Sequence, residues 1–247
     1  MPNDIPRTLK VLWGLEERRT RGPQPALSLE RIVAAAIEIA DRDGLLALSM
    51  ARLAERLGSA PMSLYRHVAD KDELLVFMQD AAPGEPPELP AGWRAGLHTW
   101  ARALQAVYYR HPWILQASAG RPPLEPGQLA WLDRGLSAFD GTPLNSRERF
   151  QAVMATLYYV RGEAQIFAVL LSGGSGVPGD ATRSAGSEGS ADGFGEIISA
   201  LVTADRFPAL ATVIADGLFK VETEDGAFDA GLARLLDGIE LLVSTRS

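Results

Sequence analysis

The chain has 247 residues, of which 47% are hydrophobic and 22% charged, and its formal net charge is −7. These proportions are typical of a globular protein with a sizeable core. The absence of cysteine excludes disulfides and thiolate zinc sites, and it suits the reducing cytoplasm, where we expect the protein to be. No apolar run approaches the roughly 20 residues of a membrane span, and the first residues lack the apolar segment of a signal peptide, so we expect no membrane partner.

Residues 1–27 form a predicted N-terminal arm, whose most basic part is the segment RRTR at residues 18–21. Two interpretations remain open for it: a flexible arm that contacts the minor groove or the phosphates of DNA, and a solvated tail. Trp13 lies between Leu12 and Leu15. This apolar group predicts that the earlier part of the arm docks on the rest of the protein.

Residues 28–80 carry start and stop signals for four consecutive helices. Each predicted helix begins at a residue type that favours a helix N-terminus: Ser28, Ser49, Pro61 and Asp70. Gly44 and Gly58 tolerate the left-handed conformation and are predicted to end the first two helices. A helix, a Gly-containing turn and a short second helix form a helix-turn-helix, whose second helix can enter a major groove.

The short helix that begins at Pro61 has a predicted inner and a predicted outer face. The inner face should supply its packing contacts, from Met62, Leu64, Tyr65 and Val68. The outer face is polar and should meet solvent or a ligand: Ser63, Arg66 and His67.

Residues 83–90 are rich in proline and mark the expected boundary with a second domain over residues 91–247. Helical periodicity predicts helices in this domain over residues 93–108, 128–139, 145–171, 194–203, 206–219 and 228–243. Residues 172–193 are rich in Gly and Ser and are predicted to be a flexible loop, since they cannot bury enough apolar area to become ordered. The predicted fold class is therefore all-α, with an N-terminal three-helix helix-turn-helix domain and a C-terminal helical bundle.

Signals for other chemistry are weak. Gly174, Gly176 and Gly179 spell G-x-G-x-x-G, but no strand precedes them and the match is attributed to chance. The three histidines share no metal-ligand spacing, and no nucleophile lies in a recognisable catalytic motif. We therefore expect no enzyme activity, no cofactor and no metal.

The segment from about Ser28 to Met78 resembles the DNA-binding domain of TetR-type transcriptional regulators. The resemblance lies in LSLERIVAAAIEIADRDG, LSMARLAERLG and above all APMSLYRHVADKDELL. The remaining chain matches a tetracycline-repressor-like C-terminal domain more loosely, in helix order and in the closing FDAGLARLLDGIELLV. The resemblance implies a homodimeric repressor that binds double-stranded operator DNA and is released by a small amphipathic effector. The alternative is a helical small-molecule-binding protein or enzyme whose DNA-binding domain is vestigial.

The resemblance also implies which side chains contact DNA. The candidates lie around the helix-turn-helix: Ser49, Pro61, Met62, Ser63, Tyr65, Arg66, His67 and Lys71. Tyr and His side chains can reach phosphate oxygens, and Ser63 can contact bases or phosphates. Many relatives carry arginine where this chain has Ala51, which removes a guanine contact; Arg52 and Arg66 are the candidates to replace it.

The second domain is rich in large aromatic residues, which suit a mostly apolar pocket with a few polar groups. The candidates for ligand binding are Trp100, Leu104, Tyr108, Trp113, Gln116, Trp131, Met154, Leu157, Tyr158 and Arg161. For each aromatic residue the alternative is a place in the core. Arg161 falls on an apolar stripe and would need a partner, which is either an acidic residue such as Asp133 or a carboxylate or phenolate of the ligand.

The last predicted helix places its apolar residues on one broad face, which could cap its own domain. The resemblance implies instead that this helix and residues 194–203 pair with a second subunit in a four-helix interface. The candidate dimer residues are Ile198, Leu201, Leu232, Leu235, Leu236, Ile239 and Leu242.

Overall fold

The computed structural model describes residues 5–15, 27–117, 123–171, 191–217 and 224–246. Within these ranges the chain forms twelve α-helices and one 3₁₀ turn, without a strand, so the predicted all-α fold class is confirmed. In the same ranges, no helix combines the length and the apolar character needed to cross a membrane.

The first five helices belong to the N-terminal part of the chain: α1 Arg7–Leu12, α2 Leu29–Asp43, α3 Met50–Arg56, α4 Pro61–Leu64 and α5 Lys71–Ala81, with the 3₁₀ turn at Leu45–Ala47. The other seven follow the proline-rich segment: α6 Trp93–Arg110, α7 Trp113–Ala117, α8 Pro126–Ser137, α9 Ser146–Leu171, α10 Ala191–Leu201, α11 Pro208–Ala215 and α12 Glu224–Arg246. The sequence did not predict α7. Helix α10 begins inside the segment 172–193 that was expected to be a loop, and residues 172–190 lie outside the described residues.

Local hydrogen bonds explain where the helices of the N-terminal domain begin. The Ser28 and Ser49 side chains accept bonds from the third residue along, and Asp70 Oδ1 accepts one from Glu73 N at 2.8 Å. The Glu73 carboxylate turns back to Ala69 N rather than to the Asp70 amide of a capping box. Gly58 has a φ of 61°, in the left-handed region where glycine ends a helix without strain. The predicted starts are therefore confirmed.

The hydrophobic core of the helix-turn-helix lies between α2, α3 and α5, with Leu64 and Val68 completing it from α4 and the turn that follows. The prediction for α4 is wrong for two residues. Met62 is 74% exposed and Tyr65 is 44% exposed. Helix α4 has only one turn, so it has room for a single buried position at Leu64 while its other side chains point outward.

Helix α1 packs against α5, as the apolar group around Trp13 predicted. Leu9 is buried, and Arg7 Nη1 and Thr8 Oγ1 donate hydrogen bonds to Glu73 Oε1 at 3.2 and 3.1 Å. The indole Nε1 of Trp13 donates to the carbonyl oxygen of Leu124 at 3.0 Å. Arg18, Arg19 and Arg21 of the basic segment fall in residues 16–26, outside the described residues.

The C-terminal bundle is built from α6, α8, α9 and α12. Helices α8, α9 and α12 pack around the buried side of α6. Asn145 and Glu148 stand three residues apart, the spacing that predicts a helix start, and they cap α9 reciprocally with hydrogen bonds of 3.0 and 3.1 Å. Helical spacing predicts one apolar stripe on α9, formed by Phe150, Met154, Leu157, Ala164, Ala168 and Leu171. In the structure Phe150 is exposed, whereas Val153 and Val160, outside that stripe, are buried together with Ala164. A long helix with neighbours on several sides buries more than one stripe, so periodicity alone places its inner face poorly.

Candidate nucleic-acid interface and effector-binding bundle

Helix α4 and the turn after it present the predicted DNA-binding side chains on the surface. Pro61, Met62, Tyr65 and Arg66 are exposed, and Ser63 and His67 are half-buried. No hydrogen bond or ion pair within the described residues engages the side-chain polar groups of Tyr65, Arg66 or His67. These groups can therefore bond a ligand without breaking a contact in the protein.

Two of the predicted DNA-binding residues also hold the domain together. The Ser49 hydroxyl oxygen accepts a bond from Arg52 N at 3.2 Å, which caps α3. The Lys71 ammonium donates to the carbonyl oxygen of Leu48 at 2.7 Å. An ammonium has three donors, so Lys71 keeps two for a phosphate while it fixes the start of α5 beside the start of α3.

The two arginines that could replace the missing one at position 51 differ in their contacts. The Arg52 guanidinium donates to Asp43 Oδ2 at 2.6 Å and to the carbonyl oxygen of Ala47 at 3.4 Å. Asp43 is also bonded by Arg42, and the hydrogen bond from Arg42 lowers the pKa of Asp43 and favours its charged form. Arg52 is therefore committed to the entry of α3, whereas Arg66 is exposed.

Three tryptophans that were candidates for ligand binding are structural residues. Trp100 Nε1 donates to the carbonyl oxygen of Trp131 at 2.8 Å, and Trp131 Nε1 donates to that of Gly84 at 2.9 Å. Trp113 Nε1 donates to Asp41 Oδ1 at 2.7 Å. All three rings are buried. The core interpretation therefore replaces the ligand interpretation for these residues, because each indole N–H is already satisfied within the chain.

Other candidates for ligand binding divide into buried and exposed positions. Tyr158 is 64% exposed and Gln116 is also exposed, so neither lies inside the bundle as expected. Leu104 is buried, and Met154 and Leu157 are half-buried. Leu104 belongs to the hydrophobic core and Leu157 packs against it.

Arg161 and Tyr108 form a contact between α9 and α6. The guanidinium carbon of Arg161 lies 5.7 Å from the centre of the Tyr108 ring, within the range of a cation–π interaction. Burial raises the pKa of Tyr108, and the neighbouring Arg161 partly opposes this rise. The phenol therefore stays neutral and can donate a hydrogen bond.

A polar network beside this pair was not predicted from the sequence. Tyr109 Oη donates to Glu163 Oε1 at 2.6 Å, and Gln105 Nε2 bonds Tyr109 Oη at 3.0 Å and Glu163 Oε2 at 3.3 Å. The Tyr109 ring stacks on Phe167, with 4.0 Å between the ring centres. Gln105 and Tyr109 are four residues apart on α6. Side chains at this spacing lie next to each other on a helix, so the sequence could have indicated the contact between them. The crossing of α6 and α9 thus combines aromatic rings with polar groups.

The predicted dimer residues also divide. Leu232, Leu236 and Ile239 are buried inside their own chain, where α12 packs on α6 and α9, so they have little surface left for a second subunit. Ile198, Leu235 and Leu242 are half-buried. Large apolar side chains that are exposed on α9, α10, α11 and α12 include Ile166, Ile197, Leu201, Val213 and Leu241.

Helix α5 is bonded at both ends. Lys71, at its start, is bonded to the entry of α3. Near its end, Asp80 Oδ1 accepts a bond from Gly127 N at 2.6 Å, at the start of α8. Desolvation by burial raises the pKa of Asp80. The helix therefore links the recognition surface to the C-terminal bundle by direct hydrogen bonds.

Comparison with known proteins agrees with this architecture. Residues 32–76 match the family described as "Bacterial regulatory proteins, tetR family", and residues 86–243 match the one described as "Tetracyclin repressor-like, C-terminal domain". The second match alone spans more than half of the chain. The chain belongs to the TetR family of bacterial transcriptional regulators, whose members are DNA-binding regulators rather than enzymes.

Three relatives are informative. The chain is 37% identical to the HTH-type transcriptional repressor DrrR1 of Streptomyces coeruleorubidus, over 98% of this chain and 88% of the relative. It is 27% identical to the Streptomyces coelicolor TetR family protein ActR in complex with actinorhodin, with a TM-score of 0.67 over 90% of this chain and 99% of ActR. It is 26% identical to BioQ bound to its natural double-stranded DNA operator, with a TM-score of 0.50 over 57% of this chain and 87% of BioQ.

Proposed function

We propose that the protein is a homodimeric transcriptional repressor that binds operator DNA and is released by a small amphipathic effector. The observation that carries the proposal is the unbonded polar surface of the turn after α4, formed by the exposed Tyr65 and Arg66 and the half-buried His67, in a helix-turn-helix of the TetR family. The repressor function of DrrR1 and the operator complex of BioQ support it.

On DNA, α4 enters the major groove and its side chains take different roles. Tyr65, His67 and Lys71 bond phosphate oxygens, which positions the protein without reading the sequence. Ser63 and Arg66 face base edges, and Arg66 supplies the arginine contact to guanine that Ala51 cannot make. Ser49 and the start of α3 bind a phosphate, because the first amides of a helix favour an anion.

The dimer is formed by the half-buried and exposed apolar residues of α10 and α12. Leu201 and Leu241 are 68% and 67% exposed. Large apolar side chains left open to solvent are candidates for an interaction site, and the half-buried Ile198, Leu235 and Leu242 lie on the same two helices. A two-fold interface then places two α4 helices at a fixed separation, which must match the spacing of two operator half-sites.

The effector binds beside the crossing of α6 and α9. Met154, Leu157 and the buried Leu104 supply apolar contact, while Tyr108 and Arg161 supply polar contacts. ActR, which has a similar fold, has been solved in complex with actinorhodin and with (S)-DNPA. An aromatic effector with a carboxylate or phenolate fits Arg161 and its neighbours. Because α5 is bonded to both domains, movement at the bundle changes the position of α4 and weakens DNA binding.

The alternative function, a small-molecule-binding protein or enzyme with a vestigial DNA-binding domain, rests on Ala51. The two functions are separated by a gel-shift and footprinting experiment on the DNA upstream of the protein's own gene. We expect a footprint with two half-sites that survives competition by a scrambled duplex of the same composition. Arg66→Ala should lose affinity by about 1–3 kcal/mol, and Arg110→Ala, an exposed arginine on α6, should bind like the wild type. Equal binding to upstream and scrambled DNA would favour the alternative.

A further inference from the structure

Asp41 joins the DNA-binding domain to the C-terminal bundle through one oxygen atom. Asp41 Oδ1 accepts hydrogen bonds from His111 Nδ1 and from Trp113 Nε1, both at 2.7 Å. Asp41 lies in the last turn of α2, whereas His111 ends α6 and Trp113 begins α7. A carboxylate can only accept, so the Nδ1 atom of His111 carries the proton in this contact. We refer to these three residues as the α2 junction.

The α2 junction is built as a strong contact. The His111 side chain is 9% exposed, and the Trp113 ring is buried. Hydrogen bonds to a charged acceptor are about twice as strong as neutral ones, and partial exclusion of water strengthens them further. The edge of the His111 ring also contacts the Trp113 ring, with 6.2 Å between their centres. Both donors are therefore packed in the bundle, and the Asp41 side chain, 28% exposed, approaches them from the protein surface.

The position of Asp41 within α2 is unfavourable for the helix alone. The C-terminal end of a helix carries partial negative charge, so a carboxylate in the last turn destabilises the helix locally. Asp43, the other carboxylate of this turn, is neutralised by Arg42 and Arg52. Asp41 is compensated instead by two hydrogen-bond donors from the other domain, His111 Nδ1 and Trp113 Nε1. The presence of an acidic residue at this position is therefore explained by the α2 junction and not by the stability of α2 itself.

The bundle is thus bonded to the N-terminal part of the chain at α5, at α2 and, through Trp13 at the end of α1, at Leu124. Helix α5 is bonded to α8 through Asp80 and Gly127, and α2 is bonded to the α6–α7 corner through Asp41. In the proposed function, α5 moves when the effector binds. If α2 is fixed to the bundle while α5 shifts, the helix-turn-helix must rotate about the α2 junction rather than translate.

We propose that Asp41 is a positioning residue that fixes the orientation of the DNA-binding domain on the bundle and thereby sets the half-site spacing that the dimer accepts. This inference rests on the proposed function. It assigns control of operator geometry without contact to DNA to Asp41, which belongs to α2 and not to the recognition helix α4. Loss of the junction leaves the recognition surface intact but lets the two α4 helices adopt a wider range of separations.

The test measures dissociation constants for the footprinted upstream segment and for versions with one or two base pairs inserted at its centre. Each inserted pair separates and rotates the half-sites, so the wild type should lose at least about tenfold in affinity. Asp41→Ala should bind the native segment more weakly and lose markedly less on insertion. Asp41→Asn keeps an acceptor oxygen for both donors and should restore discrimination. Asp140→Ala, which removes an exposed carboxylate bonded to Arg149 within the bundle, is the matched control.

Each outcome decides the matter. If Asp41→Ala and the wild type lose affinity by the same factor on insertion, Asp41 has only a structural role and the inference is overturned. If Asp41→Ala does not fold, as seen from its helical circular dichroism, Trp113→Phe removes one donor and keeps the ring; an unchanged insertion factor in that variant overturns the inference. A wild type that does not distinguish its upstream DNA from a scrambled duplex overturns the proposed function itself, a result different from either of these.

Discussion

The Lys71 ammonium and the Leu48 carbonyl oxygen, 23 residues apart in the sequence, are joined by a hydrogen bond of 2.7 Å. Leu48 directly precedes the Ser49 cap of α3, and Lys71 is the first residue of α5. The helix that contacts the C-terminal bundle is therefore bonded to the helix that begins the helix-turn-helix. Any displacement of α5 along its axis acts on α3 through this bond.

Lys71 should contribute to DNA binding through a contact with a phosphate, whatever the DNA sequence. Lys71→Met keeps the length of the side chain and removes its charge and its bond to Leu48. We expect weaker binding to operator and random duplex alike, with the slope of log affinity against log salt reduced by about 1 per protomer. Anisotropy titrations over a range of salt concentrations measure this. Lys71→Arg should keep the slope, and an unchanged slope in Lys71→Met would restrict Lys71 to its bond with Leu48.

Tyr65 should position the protein on DNA without selecting the sequence. Tyr65→Phe removes only the hydroxyl. It should weaken the binding of operator DNA and of random DNA by the same factor, since a phosphate contact carries no sequence information. The control is Tyr158→Phe, an exposed tyrosine on α9. A changed sequence preference at unchanged overall affinity would instead place Tyr65 against base edges.

Two substitutions on α12 should have different effects because one residue is exposed and the other is buried. Leu241→Asp should convert the dimer into a monomer. The monomer should stay folded and still show a cooperative thermal melt, because Leu241 is exposed. Ile239→Asp buries a charge and should lower the free energy of unfolding by about 4 kcal/mol. Light scattering and thermal melts distinguish the two. Leu46→Asp, on the 3₁₀ turn of the other domain, is the control. An unchanged dimer in Leu241→Asp would place the interface elsewhere.

Gly127 should be sensitive to a single added methyl group. A Cβ atom at this position would lie 2.6 Å from the Asp80 carbonyl oxygen, so α8 must move away from α5. We expect Gly127→Ala to destabilise the protein by about 1–3 kcal/mol. Gly162→Ala, in the middle of α9 with open space around it, should instead stabilise by about 0.5–1 kcal/mol. Denaturant titrations measure both, and equal effects would contradict the tight contact.

Asp80 should make stability depend on pH. Burial raises its pKa in the folded state above the unfolded value, so the folded state binds the proton more tightly. Its contribution to stability is fully present below the unfolded pKa and is lost as the pH rises through the folded pKa. Asp80→Asn keeps the acceptor for Gly127 and should raise the melting temperature at neutral pH, with little effect below about pH 3. A lower melting temperature at neutral pH would show that the charge itself strengthens the bond.

The features that were predictable from sequence depend on residues close together in the chain. Ser28, Ser49 and Asp70 cap helices by bonds to residues three positions later, so the starts of α2, α3 and α5 follow from local chemistry. The reciprocal cap of Asn145 and Glu148 is predictable for the same reason. Family resemblance then gives the order of helices and the place of the recognition helix.

The roles of the tryptophans and leucines were not predictable, because they depend on distant partners. The Trp113 indole is satisfied by Asp41, 72 residues away, and that of Trp131 by Gly84, 47 residues away. No local pattern distinguishes such a ring from one that faces a ligand. On α12, Ile239 and Leu241 are chemically alike, yet one is buried in its own domain and the other is exposed. Apolar character predicts burial but not the identity of the covering surface.

Three of the five tryptophans donate their indole N–H groups across the contact between the first helices and the bundle: Trp13 to Leu124, Trp113 to Asp41 and Trp131 to Gly84. More than half of the tryptophans, the main source of ultraviolet emission in a protein, therefore lie at or beside the place where the two domains meet. A compound that shifts one domain against the other changes the surroundings of these rings and therefore the wavelength of their fluorescence emission. Unlabelled protein in a plate reader can thus be screened for its effector before any operator is known.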